Sequence, residues 1–229
     1  PQGARRRRGR GQEVTATTIK APSSPQETEG SWTVILRKRI VGLVPPGQAL
    51  PDRQPAYMQS WIYVFGMATL ASLGVVILSG IGLSMGGTVW WHTSALGHYV
   101  NSVHLWSVEI FFVVLVVHLW GKFWMAAWRG KRALTWMTGM FAFLVAVGTA
   151  FTGYLTTTNF ESQWIAAEAK DGLNSIGVGG FVNALNPARM ELWHVVLLPL
   201  VVGLIVVGHL ILVRRHGIVP PIGAKEPKK

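Results

Sequence analysis

Apolar residues dominate the chain from about residue 57 onward, in four long runs separated by short polar or Gly/Pro-rich stretches. The runs predict helices at about 58–84, 101–126, 134–156 and 191–213. Each is longer than the roughly 20 residues that cross a bilayer. Upstream, "SWTVILRKRIVGLV" (31–44) sets apolar flanks around Arg37, Lys38 and Arg39. It is too short to span and predicts an amphipathic helix lying in the membrane interface. "PPGQALPDRQP" (45–55) is a breaker-rich linker to the first span. Residues 1–30, with "RRRRGR" and almost no large apolar side chains, read as a disordered basic tail, and 222–229 as a second, shorter one. The expected fold is an all-α membrane protein, a four-helix transmembrane bundle occupying residues 45–221.

Composition sharpens this picture. Half of the residues are hydrophobic, 14% are charged and eleven are Trp, a membrane profile. The formal charge of +11 serves topology rather than nucleic-acid binding. Nineteen of the twenty-one Lys and Arg residues precede the first span, join the second to the third, or follow the fourth. An even number of spans puts all three regions on one face, which the positive-inside rule makes cytoplasmic. Both termini are therefore expected in the cytoplasm, with a bacterial cytoplasmic membrane as the setting. The sequence has no cysteine, which excludes disulfides, thiolate metal sites and thioether-linked haem. No typical signal peptide is seen, and with Pro1 rather than Met as the first residue the natural start is expected upstream.

Ionisable residues at membrane depth are expensive and usually functional. The second predicted span carries His104 and His118, fourteen residues apart. On a helix that interval is about 21 Å of rise and about 40° of rotation. The fourth span carries His194 and His209, fifteen apart, or about 22 Å and 60°. These two spans cross in the same direction, so His104 and His194 share one depth and His118 and His209 another. Facing imidazoles at one depth suit the two axial positions of a haem iron. Two such pairs imply two non-covalent b-type haems stacked through the membrane. His92, His98 and His216 fall outside this pattern and are expected at the surface. Gly66 and Gly80, and Gly139 and Gly153, repeat the fourteen-residue interval on the first and third spans. They are expected to let a planar cofactor approach the backbone. Glu109 sits about 140° around the helix from His104 and is read as a contact to another subunit.

The motifs "SVHLWS", "VVH", "LTWMTG", "TGY", "HVVLLPL" and "RRHGI", with the spaced glycines, resemble the amino-terminal half of cytochrome b over about residues 32–221. The fifteen-residue interval makes the chain similar to the cytochrome b6 type. The resemblance implies that His104 and His194 hold the haem on the positive side and His118 and His209 the one on the negative side. It implies a dihaem subunit of a quinol–cytochrome c oxidoreductase, passing electrons from a positive-side quinol site to a negative-side quinone site and coupling this to proton translocation. The implied partners are a carboxy-terminal cytochrome b half resembling subunit IV, a Rieske iron–sulfur protein and a cytochrome c-type acceptor, in a dimeric complex without nucleic acid.

The chain departs from the family at several places. Asn101 and Leu105 stand where arginines usually meet the propionates of the first haem, and Gly121 where another follows the second histidine. Lys122, Arg132 and Arg214 become the candidates for propionate or negative-side quinone contacts. After "TGY" the family's Leu-Pro-Trp is replaced by Leu155, Thr156 and Thr157, and its Pro-Glu-Trp-Tyr signature is absent from these 229 residues. Quinol oxidation is thus expected to need a second polypeptide, with Phe160–Ile176 as one wall of the pocket; no catalytic residue is identified. The alternative is a dihaem membrane anchor of another quinone-linked dehydrogenase or reductase.

Overall fold

A computed structural model describes residues 32–43, 45, 47, 58, 60–221 and 223. The expected tails and most of the 45–55 linker lie outside the described residues. The chain divides into two units, residues 1–40 and 41–229. Helix α1 is Trp32–Leu43. Trp32, Ile35, Leu36 and Ile40 are exposed on it beside Arg37, Lys38 and Arg39.

Four helices in the second unit are long and apolar enough to cross a membrane. Helix α2 is Val64–Thr93, entered through a 3-10 turn at Trp61–Tyr63. Helix α3 is Ala95–Trp124 and α4 is Ala133–Thr156. The connection after α4 folds into three short helices, α5 (Phe160–Ser175), α6 (Gly179–Val182) and α7 (Pro187–Leu192). A π-helical turn at Trp193–Leu197 then leads into α8, Leu198–His216. Thirty residues of α3 are about 45 Å of helix, more than the roughly 30 Å hydrocarbon layer requires.

Helix α2 runs nine residues past its expected end. Its apolar stretch closes at Gly86, and Gly87, at φ 74° and ψ 169°, breaks the helical path as only glycine does cheaply. The turn after it carries His92 to Ser94, whose side chain caps α3 by accepting from Gly97 N–H at 3.1 Å. The connection between α2 and α3 is thereby reduced to one residue. His92 and His98 are exposed on helix ends, as surface residues were expected to be.

Asn159 caps α5 by accepting from Ser162 N–H at 2.8 Å, and Asn186 caps α7 in the same way through Arg189 N–H at 3.0 Å. Pro187 takes the first helical position of α7, where its missing N–H leaves nothing unpaired. Leu155, Ala166, Ala184 and Met190 form a buried cluster that fastens this cap to the end of α4.

Helix α2 packs along α3 and α4 packs along α8, while the two pairs touch each other only sparsely. Between them Phe111, Ala146 and Val202 are buried near mid-helix. The outer faces are apolar, with Met67, Leu78, Val113, Leu144 and Leu204 exposed. Faces of this extent need a lipid or protein covering, and the bundle is that of a membrane protein.

Candidate functional site

Each histidine of α3 lies against a glycine of α2. A Cβ placed on Gly80 would stand 3.1 Å from His104 Cε1, and one on Gly66 3.2 Å from His118 Cε1. The second helix pair repeats the arrangement. A Cβ on Gly139 would meet His209 Cε1 at 3.1 Å, and one on Gly153 would overlap the His194 ring, with Nδ1 at 2.7 Å. The four spaced glycines are thus the floors on which the four imidazoles rest. Because the helices of each pair are antiparallel, the earlier glycine serves the later histidine.

The Nδ1 atoms are tethered to the same helices. His104 Nδ1 is 3.1 Å from the Val76 carbonyl and 3.0 Å from Ser79 Oγ. His194 Nδ1 is 2.8 Å from the Thr149 carbonyl. Val76 and Thr149 each stand four residues before the glycine beneath the ring. His209 Nδ1 lies 3.1 Å from Thr138 Oγ1. An Nδ1–H donating to a carbonyl leaves the Nε2 lone pair free, the tautomer and orientation of a metal-ligating imidazole. His118 differs: its Nδ1 is buried with no hydrogen-bond partner. The residue before its glycine is Phe65, without a hydroxyl, and the carbonyl four residues before belongs to the 3-10 turn.

Across the gap the His104 and His194 ring centroids are 6.2 Å apart, with planes at 85°. Two metal–nitrogen bonds of about 2 Å, plus about 1.1 Å from each nitrogen to its ring centre, require ~6.2 Å. The spacing therefore fits an iron held by both rings. A cavity of about 230 Å³ opens beside them, lined by Gly80, Ile81, His104, Thr149, His194 and Pro199 among others. The His104 and His194 side chains present fit one bis-imidazole haem, with Phe111 on the inner side of its cavity.

The fifteen-residue interval of the fourth span has a structural resolution. Pro199 cannot donate to the Val195 carbonyl, and its ring crowds the turn before it. The π turn at Trp193–Leu197 accommodates this by looping in one additional residue at the level of His194. The effective interval falls toward fourteen, so the rotation between His194 and His209 approaches the ~40° of α3 rather than the ~60° of an unbroken helix.

Lys122 lies one turn beyond His118, its ammonium 4.0 Å from the centre of the Tyr63 ring and 4.0 Å from Met125 Sδ. Arg132 Nε donates to the Gly217 carbonyl at 3.2 Å, and Arg214 is exposed. His216 departs from the surface position expected of it. It is half-buried, with Nδ1 3.1 Å from Thr135 Oγ1, because the α8 terminus folds back over the start of α4. At the other end of α4, Tyr154, Phe160, Glu161, Trp164 and Ile165 line an open hollow of about 430 Å³. The stretch expected to form one wall of the pocket is helical over Phe160–Ser175, with Trp164 and Ile165 exposed. The serine and threonine tethers were missed from sequence. Their signal was the hydroxyl residue before a spaced glycine, in "SG" at 79–80 and "TG" at 138–139.

The comparisons with known proteins agree with this architecture. The chain is 33% identical over 141 residues to a cytochrome bc complex cytochrome b subunit of Chlorobaculum thiosulfatiphilum, covering 57% of this chain and 33% of that protein. It is 25% identical over 189 residues to the menaquinol:cytochrome c reductase cytochrome b subunit of Geobacillus thermodenitrificans, covering 72% and 84%. The chain thus spans only about a third of the length of the first relative. A hyperthermophilic respiratory Complex III chain shares the fold, with a TM-score of 0.67 at 22% identity over 85% of this chain and 56% of that one. Residues 109–229 match the family described as cytochrome b(N-terminal)/b6/petB. With that match covering more than half of the sequence, the chain belongs to the cytochrome b N-terminal/b6 family.

Proposed function

We propose that this chain is the dihaem cytochrome b subunit of a quinol–cytochrome c oxidoreductase, conducting electrons between a positive-side quinol site and a negative-side quinone site. The observation that carries the reading is the repeated unit of a histidine seated on a glycine and, in three of the four, tied through Nδ1 to the neighbouring helix. His104 and His194 would hold the positive-side haem, and His118 and His209 the negative-side haem. Bis-imidazole haem supplies one-electron transfer with no open coordination position. The glycines admit the rings, the tethers hold the Nε2 atoms toward the gap, and the apolar walls exclude water. Lys122, Arg132 and Arg214 supply positive charge for propionates or a quinone at the negative side. Buried carboxylates need such partners.

Quinol releases two electrons and two protons. In this reading one electron goes to a Rieske iron–sulfur protein, the other crosses the bundle, and the protons leave on the positive side. The cavity between Tyr154 and α5 contributes one wall of the quinol pocket, and a carboxy-terminal cytochrome b partner the rest. Orientation follows the basic residues, with both termini cytoplasmic and α1 in the cytoplasmic interface. The experiment is purification from native membranes with identification of every subunit, followed by quinol–acceptor turnover of the complex and of the isolated chain in liposomes. A Rieske protein and inhibitor-sensitive turnover by the complex alone are expected. A flavin or molybdenum subunit in their place would replace this reading with the membrane-anchor alternative. Turnover by the isolated chain would overturn the division of the pocket.

A further inference from the structure

We propose that the outward face of α3 is the docking surface for a transmembrane helix of another subunit, which presents a lysine or arginine to Glu109 at mid-membrane. Glu109 is the fifteenth residue of the thirty-residue α3, roughly 21 Å from either end of the helix. It is exposed and makes no hydrogen bond or ion pair among the described residues. Helices α2, α4 and α8 contain no Asp or Glu at all. Their outward faces suit lipid, whereas that of α3 does not.

The carboxylate lies on an ordered seam. Ser102, Leu105, Glu109, Val113, Val116 and Trp120 are all exposed. Their intervals of three and four residues keep each within about 40° of Glu109. That is the stripe along which a second helix packs. It faces away from His104 and His118, so the inference is independent of the haem assignment.

Charge decides the occupant. A carboxylate at mid-depth is costly in hydrocarbon and is paired when a cation is available there. Lipid offers no cation at that depth. A second copy related by a two-fold axis along the membrane normal would set Glu109 opposite Glu109 at equal depth, placing like charges together. A different helix carrying Lys or Arg remains.

These 229 residues contain no cysteine, so Val113→Cys in the purified complex gives a single attachment point on this chain for a maleimide–diazirine cross-linker, with the wild-type complex as the control for cysteines of other subunits. The expected product joins α3 to a membrane peptide of a different subunit that carries a basic residue within its apolar run. Glu109→Lys should lower retention of that subunit about tenfold, with Glu109→Gln milder and haem content unchanged. Reversing the identified basic residue to Glu should restore the Glu109→Lys complex. Cross-links to another copy of this chain, to a peptide without a basic residue, or to lipid alone would each overturn the proposal. So would full retention of every subunit by Glu109→Lys.

Discussion

Gly153→Ala should remove the haem held by His104 and His194 while leaving the other in place. The added methyl would sit 2.7 Å from His194 Nδ1 and 2.9 Å from Nε2, with Cε1 closer still. Ordinary carbon contacts begin near 3.5 Å, so the ring must retreat by about 0.7 Å or more. It is held against this same helix by the 2.8 Å contact from Nδ1 to the Thr149 carbonyl. Retreat therefore costs that hydrogen bond, moves Nε2 off the axial line, or both. Overpacking of this kind costs about 1–3 kcal/mol, which corresponds to roughly 5- to 150-fold in haem affinity. Gly148→Ala is the control: on the same helix, nothing lies within 4 Å of its Cβ position. The assay is a reduced-minus-oxidised spectrum with a redox titration of the purified complex, alongside haem per chain. Gly153→Ala should lose most of one titrating component and Gly148→Ala neither. Two unaltered components in Gly153→Ala would refute the placement of His194 on this glycine as a condition of haem binding.

Spectral partition follows from the pairing: His104→Ala and His194→Ala should delete one component, and His118→Ala and His209→Ala the other. Loss of the same component by His104→Ala and His209→Ala would show the helix directions to be wrong. Thr138→Val removes the hydroxyl beside His209 Nδ1, a contact of about 1 kcal/mol. It should shift the midpoint potential of the negative-side haem only, whereas Ser79→Ala should shift only the other. Deleting Val196 from the π turn should give a continuous α-helix at the fourteen-residue interval and keep both haems. Loss of the His194 haem would mean that the turn does more than restore register.

The four spans, and the histidines carried inside two of them, were legible because they rest on the length of apolar runs and on side chains that membranes rarely tolerate. What escaped lies below that level. The end of α2 depends on the positive φ of Gly87, and Gly86 and Gly87 carry no mark that says which one breaks the helix. The π turn follows from Pro199, a local conflict that periodicity averages away. The glycines were read as clearance for the cofactor, yet in the structure it is the histidine rings that fill the space above them. Distinguishing those two readings needed the antiparallel register of the paired helices. Glu109 was visible at once. That its whole stripe is exposed was not, since exposure depends on which neighbours α3 packs against.

Haem counted against protein is the most direct test of two bis-imidazole haems in this chain. Purified chain should give about two haems per polypeptide by pyridine haemochrome, all of it removed by acid–acetone, with low-spin ferric signals of two distinct environments. One haem per chain, haem that survives extraction, or a high-spin ferric signal in place of a low-spin one would contradict it.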